Sequence, residues 1–534
     1  MSKNITFSDT TRRKLKSGVD KIANAVKATL GPKGRNVVIQ TTYGTPHITK
    51  DGVTVAKNIE LKDPIENLAA QVIKQAAQKT VLQCGDATTT AIVLAQTIYN
   101  EGYKLIQAGV ASPIDIKRSI EKVLPNVLSY IQDAGIKIND DLNKIKQVAS
   151  ISANNDEEIG DLISEAFSLV GEEGIVHVEE SKSTDTYIEQ TKGAQFDRGY
   201  ISPYFINNPS KYNCELINPY IFIYDKKLRT SQDVIPIMQL ATKQGRPLLI
   251  IAEEVEAQAL SLLIVNKVQA RLPFVAVKAP AFGERRIKML EDIAILTKGQ
   301  LISESSGKTL AQVTLADLGE AEKVIITKTD TTIIKGKGTV KAIQDRIEAI
   351  KAESETTESE YEIQKNKERI AMLSGKVAIL HIGAPTEIEL KEKKDRIDDA
   401  IQATQAALKL GIVPGGGITF INASKQLDTS FIGAKILYTA LEAPFRVICE
   451  NADVPADIAL SKCSTNIGYN ALTNKHEDLV KSGVIDPVLA LVYALTNAAS
   501  VATTLLLTEV TITDEPVEAE QMPNMMEGLD EDMY

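Results

Sequence analysis

The hydrophobic period of this chain changes twice along its length, and that change restricts the architecture more than any single motif. In residues 9–30, Leu15, Val19, Ile22, Val26 and Leu30 recur every three or four positions. This predicts an amphipathic helix stopped by Gly31-Pro32-Lys33-Gly34. Pro64 stands at the first position of a further helix through Leu68, Val72 and Ile73 toward Val81. Gly85-Asp86 breaks that helix, and another begins at Thr88 to Thr90 and runs through Leu94 and Ile98. A short hairpin, Val37-Val38-Ile39 against Ile48-Thr49 around Tyr43-Gly44, is expected between the first two helices. Between residues 193 and 375 the pattern is different. Leu248-Leu249-Ile250-Ile251, Phe274-Val275-Ala276-Val277 and Val324-Ile325-Ile326 read as buried strands, with helices at 255–265 and 286–296 between them. Alternation of this kind predicts an α/β domain with a partly parallel sheet. A strand at 377–382 and a charged helix at 387–409 follow, and Gly415-Gly416-Gly417 opens a second helical block. The order helical, mixed, helical predicts a discontinuous domain whose two ends pack together around an inserted middle. A chain of 534 residues exceeds the ~250–300 residues at which one core stops growing, so two or three domains are expected.

Tryptophan is absent and aromatics are 5% of residues, so the core has to be built from Ala, Val, Ile and Leu. The formal net charge is −10, but the stretch from Asp514 to Tyr534 carries eight acids and no base, leaving a nearly neutral body. No basic run marks a nucleic-acid partner. The acidic tail, with Pro516 and Pro523, cannot bury enough apolar area to offset ordering and is expected to be disordered. Cys84, Cys214, Cys449 and Cys463 are scattered, without a CxxC, which argues for reduced thiols in a cytoplasmic protein rather than a disulfide framework or a zinc site. His47, His177, His381 and His476 are isolated and read as structural. The N-terminus lacks the apolar core of a signal peptide. No stretch of about 20 apolar residues is recognised, so no membrane partner is expected.

Five segments could carry chemistry. Gly31-Pro32-Lys33-Gly34-Arg35 is a turn whose backbone N–H groups could cradle phosphate, or one that only reverses the chain. It is not a GxxxxGK[ST] loop. Gly85-Asp86-Ala87-Thr88-Thr89-Thr90 places an acid and three hydroxyls at a helix start. An N-cap needs only one such residue. The alternative is an anion site at a helix N-terminus with a carboxylate for Mg²⁺, which completes its shell with phosphate and water. Lys50-Asp51-Gly52 and Asp398-Asp399 are solvated faces or, if folding brings them near phosphates, groups that orient an attacking water. Gly415-Gly416-Gly417 is a close backbone approach or a flexible joint. In the middle segment Leu260 and Ile264 are four apart, as are Ser261 and Val265, and Ile235 and Met238 are three apart. Such faces are either core or an apolar groove for unfolded chains.

Taken in order, these segments resemble the group I chaperonins, the GroEL family. The resemblance rests on Thr29 to Asn36, Ile48 to Val53, Gly85 to Thr90, Ile151-Ser152-Ala153-Asn154, Gln195 to Tyr200, Ser202 to Phe205, Lys278-Ala279-Pro280, Lys391 to Lys394, Gly415 to Gly417 and Gly468-Tyr469-Asn470-Ala471. It spans nearly the whole chain except the tail. It implies a multidomain protein with a mostly α equatorial ATPase domain (1–134 and 411–513), a small α/β intermediate domain (135–192 and 376–410) and an α/β apical domain (193–375), ahead of the tail 514–534. It further implies ATP with Mg²⁺ and K⁺, rings usually of seven subunits and often doubled, a GroES-like co-chaperonin, and non-native polypeptide clients. Carried over by position, Gly416, Asn470, Ala471, Leu472 and Asp486 would meet adenine and ribose. Thr29, Leu30, Gly31, Pro32, Lys50, Asp86, Ala87, Thr88, Thr89 and Thr90 would meet the phosphates. Asp86 would bind Mg²⁺, and Asp399, helped by Asp51, would position the attacking water. Tyr200, Ser202, Tyr204, Phe205, Ile235, Met238, Leu260, Ile264 and Val265 match the client-binding surface.

The sequence also departs from the family. Ala87 stands where the phosphate turn usually has glycine, Lys376 where a second hinge glycine is usual, and Ile138 near a usual hinge proline. Arg446 is present, but Asp453-Val454-Pro455 lacks the usual acidic pair, which leaves a single or weakly paired ring open. Such departures suit a divergent member, a second copy or a virus-borne one. Two functions compete: an ATP-driven foldase, favoured by Asp51, Asp86 and Asp399, and a holdase or assembly scaffold with weak ATPase, for which Ala87 and Lys376 leave room. A metabolic enzyme is disfavoured because no nucleophile–base set stands out.

Overall fold

The computed structural model describes residues 3–514 apart from 41–45, 139–140, 154, 172–173, 182, 210, 270–272, 304–306 and 358. The expected turn at Tyr43-Gly44, Asn154 and the acidic tail beyond Asp514 lie outside the described residues. The chain forms two compact units, one from Met1–Ile163 with Arg396–Tyr534, the other from Ser164–Asp395. Both boundaries fall inside the stretches 135–192 and 376–410.

The first segment runs β1 (Lys3–Phe7), α1 (Ser8–Lys27), β2 (Val37–Ile39), β3 (His47–Thr49), α2 (Gly52–Asn58), α3 (Pro64–Cys84), α4 (Thr88–Gln107), α5 (Pro113–Asp133), α6 (Leu142–Ser152) and α7 (Glu157–Val170). The middle follows with β4 (Ile175–Glu180), β5 (Tyr187–Phe196), β6 (Cys214–Ile217), β7 (Tyr220–Leu228), α8 (Ser231–Lys243), β8 (Leu248–Val255), α9 (Ala257–Gln269), β9 (Phe274–Lys278), α10 (Gly283–Thr297), β10 (Leu301–Ile302), β11 (Gly319–Ile326), β12 (Thr331–Gly336), α11 (Val340–Thr356), α12 (Glu360–Ser374) and β13 (Lys376–Ile382). The chain ends with α13 (Glu387–Leu410), β14 (Ile412–Pro414), α14 (Ile418–Ser424), α15 (Ile432–Asn451), α16 (Ala456–Ser461), β15 (Ile467–Asn470), β16 (Lys475–Asp478), β17 (Ile485–Pro487), α17 (Val488–Leu506) and β18 (Val510–Asp514).

The helical unit follows its periodicities. In α1 the buried stripe is Leu15, Val19, Ile22 and Val26, at the expected spacing. Asp63 caps α3 by accepting from the N–H groups of Ile65 and Glu66, with Pro64 at the first turn. The core is built from Ala, Val, Ile and Leu on α1, α3, α4, α5, α15 and α17. One expectation needs correction. Helix α17 has nineteen residues without a charge and is long and apolar enough to cross a membrane by length and composition. It is nevertheless a core helix: it packs on α3 and α4, and its Asn497 donates to Thr80 Oγ1 and Gln83 Oε1, both at 3.0 Å. At the N-terminus β1 pairs antiparallel with β18 from Lys3↔Asp514 to Phe7↔Val510. A five-residue strand whose partner lies at the far end of the chain has no turn beside it to announce it. The pairing joins the two ends, as a discontinuous unit requires. At the other side Ile136 and Ile412 exchange both backbone hydrogen bonds, at 2.8 and 2.9 Å.

The middle unit holds a sheet ordered β4-β13-β5-β12-β11-β7-β8-β9, with β10 on β7 and β6 on β11. Strands β7, β8 and β9 are parallel neighbours, as are β4 and β13; the remaining ladders among them are antiparallel apart from β10 on β7. Continuous apolar runs such as Leu248 to Ala252 are buried on both faces, which is why their sequence shows no alternation. Strand β5 is shared: residues 187–192 pair with β13 and residues 193–196 with β12. Ile175, Val377 and Ile379 pack against Ile325 and Ile334 in a small separate cluster. Beside it Lys323 reaches Glu179 at 2.9 Å, Glu215 at 3.2 Å and His177 Nε2 at 3.1 Å. Burial, then the Lys323 charge, pushes the His177 imidazole down to about 3, so it faces Lys323 as a neutral acceptor.

Candidate functional site

Helix α1 ends on a turn that only glycine fits well. Gly31 has φ 82°, in the left-handed region, and a Cβ there would sit 3.3 Å from Ile448 Cγ1. Thr29 is buried and donates to Val26 O at 2.8 Å. Against this turn lies the start of α2. Asp51 caps it, accepting from Val53 N at 3.1 Å and Thr54 N at 2.7 Å. A Cβ on Gly52 would run into Thr89 Oγ1 and lie 3.3 Å from Thr29 Oγ1. Residues 29, 52 and 89 are therefore in one place. Lys50 Nζ donates to Pro32 O at 3.1 Å, and burial pushes its ammonium below the usual lysine range.

The α3–α4 junction supplies the acid and the hydroxyls. Gly85 has φ 71°, and a Cβ there would run into Gln402 Cβ and lie 3.1 Å from the Asp399 carbonyl oxygen. Asp86 accepts from Ala87 N at 2.5 Å. Burial pushes its carboxyl up, opposed by that N–H, and the nearby Asp51 charge pushes the same way. Thr88 opens the twenty-residue α4, and its Oγ1 is buried without a hydrogen-bond partner among the described residues. A half-buried carboxylate with no cation beside it and a buried hydroxyl with no partner among the described residues, both at a helix N-terminus, fit an anion with a divalent cation. Among the described residues no three His, Cys, Asp or Glu side chains gather tightly enough to hold a metal by themselves. The cation would thus be held by Asp86 together with the anion's own oxygens.

Ala87 sits at φ 63°, ψ 22° as the uncapped residue before α4. The left-handed conformation costs a non-glycine residue about 1–2 kcal/mol, partly offset by the freedom glycine gains when unfolded. Ala87→Gly is expected to stabilise the helical unit by about 0.5–1 kcal/mol and raise its calorimetric midpoint by about 1–3 °C. A lower midpoint would mean that the Ala87 methyl contributes more through packing than its backbone strain costs.

The remaining positions come from the C-terminal segment. Strand β14 pairs with β17 so that Val413 opposes Asp486, and a Cβ on Gly415 would lie 3.2 Å from Asp486 Cγ. Burial, with a contribution from the Asp86 charge, pushes the Asp486 carboxyl up to about 7. That coupling places Asp486 and Asp86 near one another. Gly416 has φ 62° and faces Tyr469 O and Leu479 with a clearance of 3.8 Å. The Asn470 side chain is spent on its own turn, accepting from Leu472 N at 3.0 Å and donating to Glu477 at 2.6 Å. Ala471 is buried, whereas Leu472 is exposed at the rim. Five stretches far apart in sequence thus meet in one unit: the turn after α1, the start of α2, the α3–α4 junction, α13 at Asp399, and the Gly415–Asp486 pair. The sequence reading missed Gln402 against Gly85. A glutamine on a charged helix face carries no local mark of that contact.

In the middle unit the client-surface positions divide. Tyr204, Ile235 and Val265 are exposed, and Val268 joins them. Tyr200, Leu260 and Ile264 are half-buried against the core. Phe205, Met238 and Ser202 are buried, at 0%, 7% and 6% exposure, and so offer no surface in this arrangement. The reason is helical phase. The core stripe of α8 is Val234, Ile237, Met238 and Ala241, which leaves Ile235 outside it. Phe205 closes a short 3-10 turn from Pro203 that Lys267 holds by donating to Tyr204 O and Ile206 O at 3.0 and 2.9 Å.

Comparison with known proteins gives one family: the profile of the TCP-1/cpn60 chaperonin family matches residues 22–516. Among solved structures, the chaperonin gp146 of bacteriophage EL 2 (Pseudomonas aeruginosa), crystallised in the presence of ATP-BeFx, matches with a TM-score of 0.72 at 24% identity, covering 96% of this chain and 99% of that one. A second crystal form of gp146 matches with a TM-score of 0.64 at the same identity and coverage. At that identity the likeness establishes the fold.

Proposed function

Because this chain belongs to the TCP-1/cpn60 chaperonin family, we propose that it is an ATP-driven chaperone in which nucleotide bound in the helical unit governs the capture and release of non-native polypeptides by the middle unit. The observation that carries this reading is the half-buried Asp86 beside the Thr88 hydroxyl, unpartnered among the described residues, at a junction whose Thr89 meets Gly52 and, through it, Thr29 of the turn after α1. Thr29 to Pro32 and Asp86 to Thr90 would hold the phosphates, Gly416, Asn470 to Leu472 and Asp486 the nucleoside, with K⁺ as the accompanying cation. Mg²⁺ held at Asp86 would neutralise phosphate charge during transfer to water. Asp399 orients the attacking water, and Asp51 adds negative charge beside it.

The three-domain division (1–134 with 411–513, 135–192 with 376–410, and 193–375) is retained as the working mechanical scheme. Differential affinity for nucleotide between two arrangements of these parts supplies the drive. Clients would dock on Tyr204, Ile235, Val265 and the half-buried residues beside them. Each buried methylene contributes about 0.8 kcal/mol, without sequence specificity. A GroES-like lid is the expected co-chaperonin, and four free cysteines suit a reducing cytoplasm.

Two features support ring assembly. The β1–β18 ribbon exposes Ile5, Phe7, Val510 and Ile512, and the β2–β3 hairpin exposes Val38 and Ile48. Both are two-stranded with open edges, and two different edges that join head to tail close into a ring. Arg446, expected at a ring-to-ring contact, is already engaged by Glu442 at 2.8 Å and Asp457 at 2.9 Å in its own chain, which favours a single or weakly paired ring.

The test is phosphate release from purified protein with ATP and Mg²⁺, paired with electron microscopy of the same sample with and without ATP. Magnesium-dependent release and ATP-dependent change in a ring support the foldase reading. Rings that bind unfolded chains without turnover would identify a holdase or scaffold. Failure to bind MgATP at all would reject the proposal.

A further inference from the structure

We infer that Asn451, the last residue of α15, is a positioning residue for the nucleotide's phosphate turn: its amide fixes the Leu30–Gly31 peptide so that the Gly31 N–H is presented to phosphate. The inference rests on the nucleotide site proposed above.

Asn451 Nδ2 donates to Lys27 O and to Leu30 O, each at 2.9 Å. The group that faces two carbonyl oxygens has to be the NH₂ end of the amide, because its oxygen can only accept. Both amide protons are therefore spent on the turn. Leu30 O lies just beyond the end of α1, and Lys27 O, which also accepts from Leu30 N at 3.1 Å, is its last carbonyl. The peptide bond is planar and trans, so the Gly31 N–H points opposite to Leu30 C=O. With that carbonyl held toward the end of α15, the N–H faces away from α15. Among the described residues it meets no acceptor.

The same pattern extends through the turn. Ala28 O accepts from Arg35 N at 2.7 Å and Gly31 O from Gly34 N at 3.0 Å. Pro32 O accepts from Lys50 Nζ at 3.1 Å. Every one of these acceptors is occupied, by backbone or by a side chain from another element. With Leu30 O, Gly31 O and Pro32 O engaged, the turn is free to present the Gly31 N–H to an anion, while Thr29 O meets no donor among the described residues. Asn451 supplies the decisive pair, since without it Leu30 O would be free to rotate into the site. No local pattern marks this role, because an asparagine at a helix end reads as a terminal cap.

The test compares wild type with Asn451→Asp, which sets an acceptor-only carboxylate against two carbonyls, and Asn451→Ser, which keeps one donor. Asn451→Asp is expected to raise KM for MgATP and Kd for MgADP by about tenfold or more, with kcat at saturation within about threefold of wild type. Asn451→Ser falls between. A purely structural role would lower the melting temperature and leave KM in place. Hydrogen exchange supplies a second readout: MgADP should slow exchange in residues 28–36 of the wild type and not of Asn451→Asp. If Asn451→Asp does not fold, the Asn451→Ser KM and exchange decide the matter. Unchanged KM and unchanged exchange protection in a folded variant overturn this inference alone. A wild type that binds no nucleotide overturns it together with the proposed function.

Discussion

Asp399→Ala is expected to lower steady-state ATP hydrolysis by about 10²–10⁴-fold, the range for removing a group that manages a proton or orients water. The affinity for ATP should stay within about threefold, because the residue is assigned to the transferring water rather than to the phosphates. The physical basis is placement. Helix α13 passes the α3–α4 junction so closely that a methyl group on Gly85 would run into Gln402 and lie 3.1 Å from the Asp399 carbonyl oxygen. The Asp399 backbone thus passes beside Gly85, the residue preceding Asp86, the group assigned to the cation, yet on a separate element. Asp86→Ala makes the useful contrast: it should weaken magnesium-dependent binding itself. Single-turnover phosphate release with calorimetric nucleotide binding separates the two. An Asp399→Ala protein that hydrolyses ATP within a few-fold of wild type would remove Asp399 from the chemistry.

The second large effect concerns stability in the middle unit. Asp292 on α10 is fully buried and binds two guanidinium groups: Arg369 at 2.7 and 3.1 Å, and Arg346 at 2.6 Å. Arg369 is itself 5% exposed and also reaches Asn366 at 3.1 Å and Glu353 at 3.5 Å. The cluster ties α10 to α11 and α12. Asp292→Ala would leave the buried Arg369 with only Asn366 and the longer contact to Glu353, and Arg346 with Glu291, and breaking a buried pair from one side costs about 3–5 kcal/mol. Hydrogen exchange in β7, β8 and β9 of the full-length protein should speed up by about two to three orders of magnitude where it is limited by opening of the whole unit. Replacing Asp292, Arg346 and Arg369 together with apolar residues of similar size should restore most of the loss, because the desolvation cost disappears with the charges. A loss below about 1 kcal/mol in Asp292→Ala would show that water reaches the arginines.

The sequence by itself determined what depends on near neighbours. The stripe Leu15, Val19, Ile22 and Val26, the Asp63-Pro64 helix start, the break at Gly85 and the runs that became β8 and β9 are all set by local period, capping and turn chemistry. These sufficed to expect two helical ends around a mixed middle. The family motifs add the positions proposed for nucleotide and clients. Tertiary structure alone decided which faces meet. Ile235 and Met238 share spacing, but α8 turns Met238 inward and Ile235 outward because its core stripe runs through Val234 and Ile237. The apolar α17 could have been a membrane span, and its packing on α3 and α4 makes it a core helix. The pairing of β1 with β18, and the meeting of Asp51, Asp86, Asp399 and Asp486 in one unit, join residues hundreds of positions apart. No local pattern encodes such meetings, because loop closure over that distance is decided by the summed burial of all the elements between.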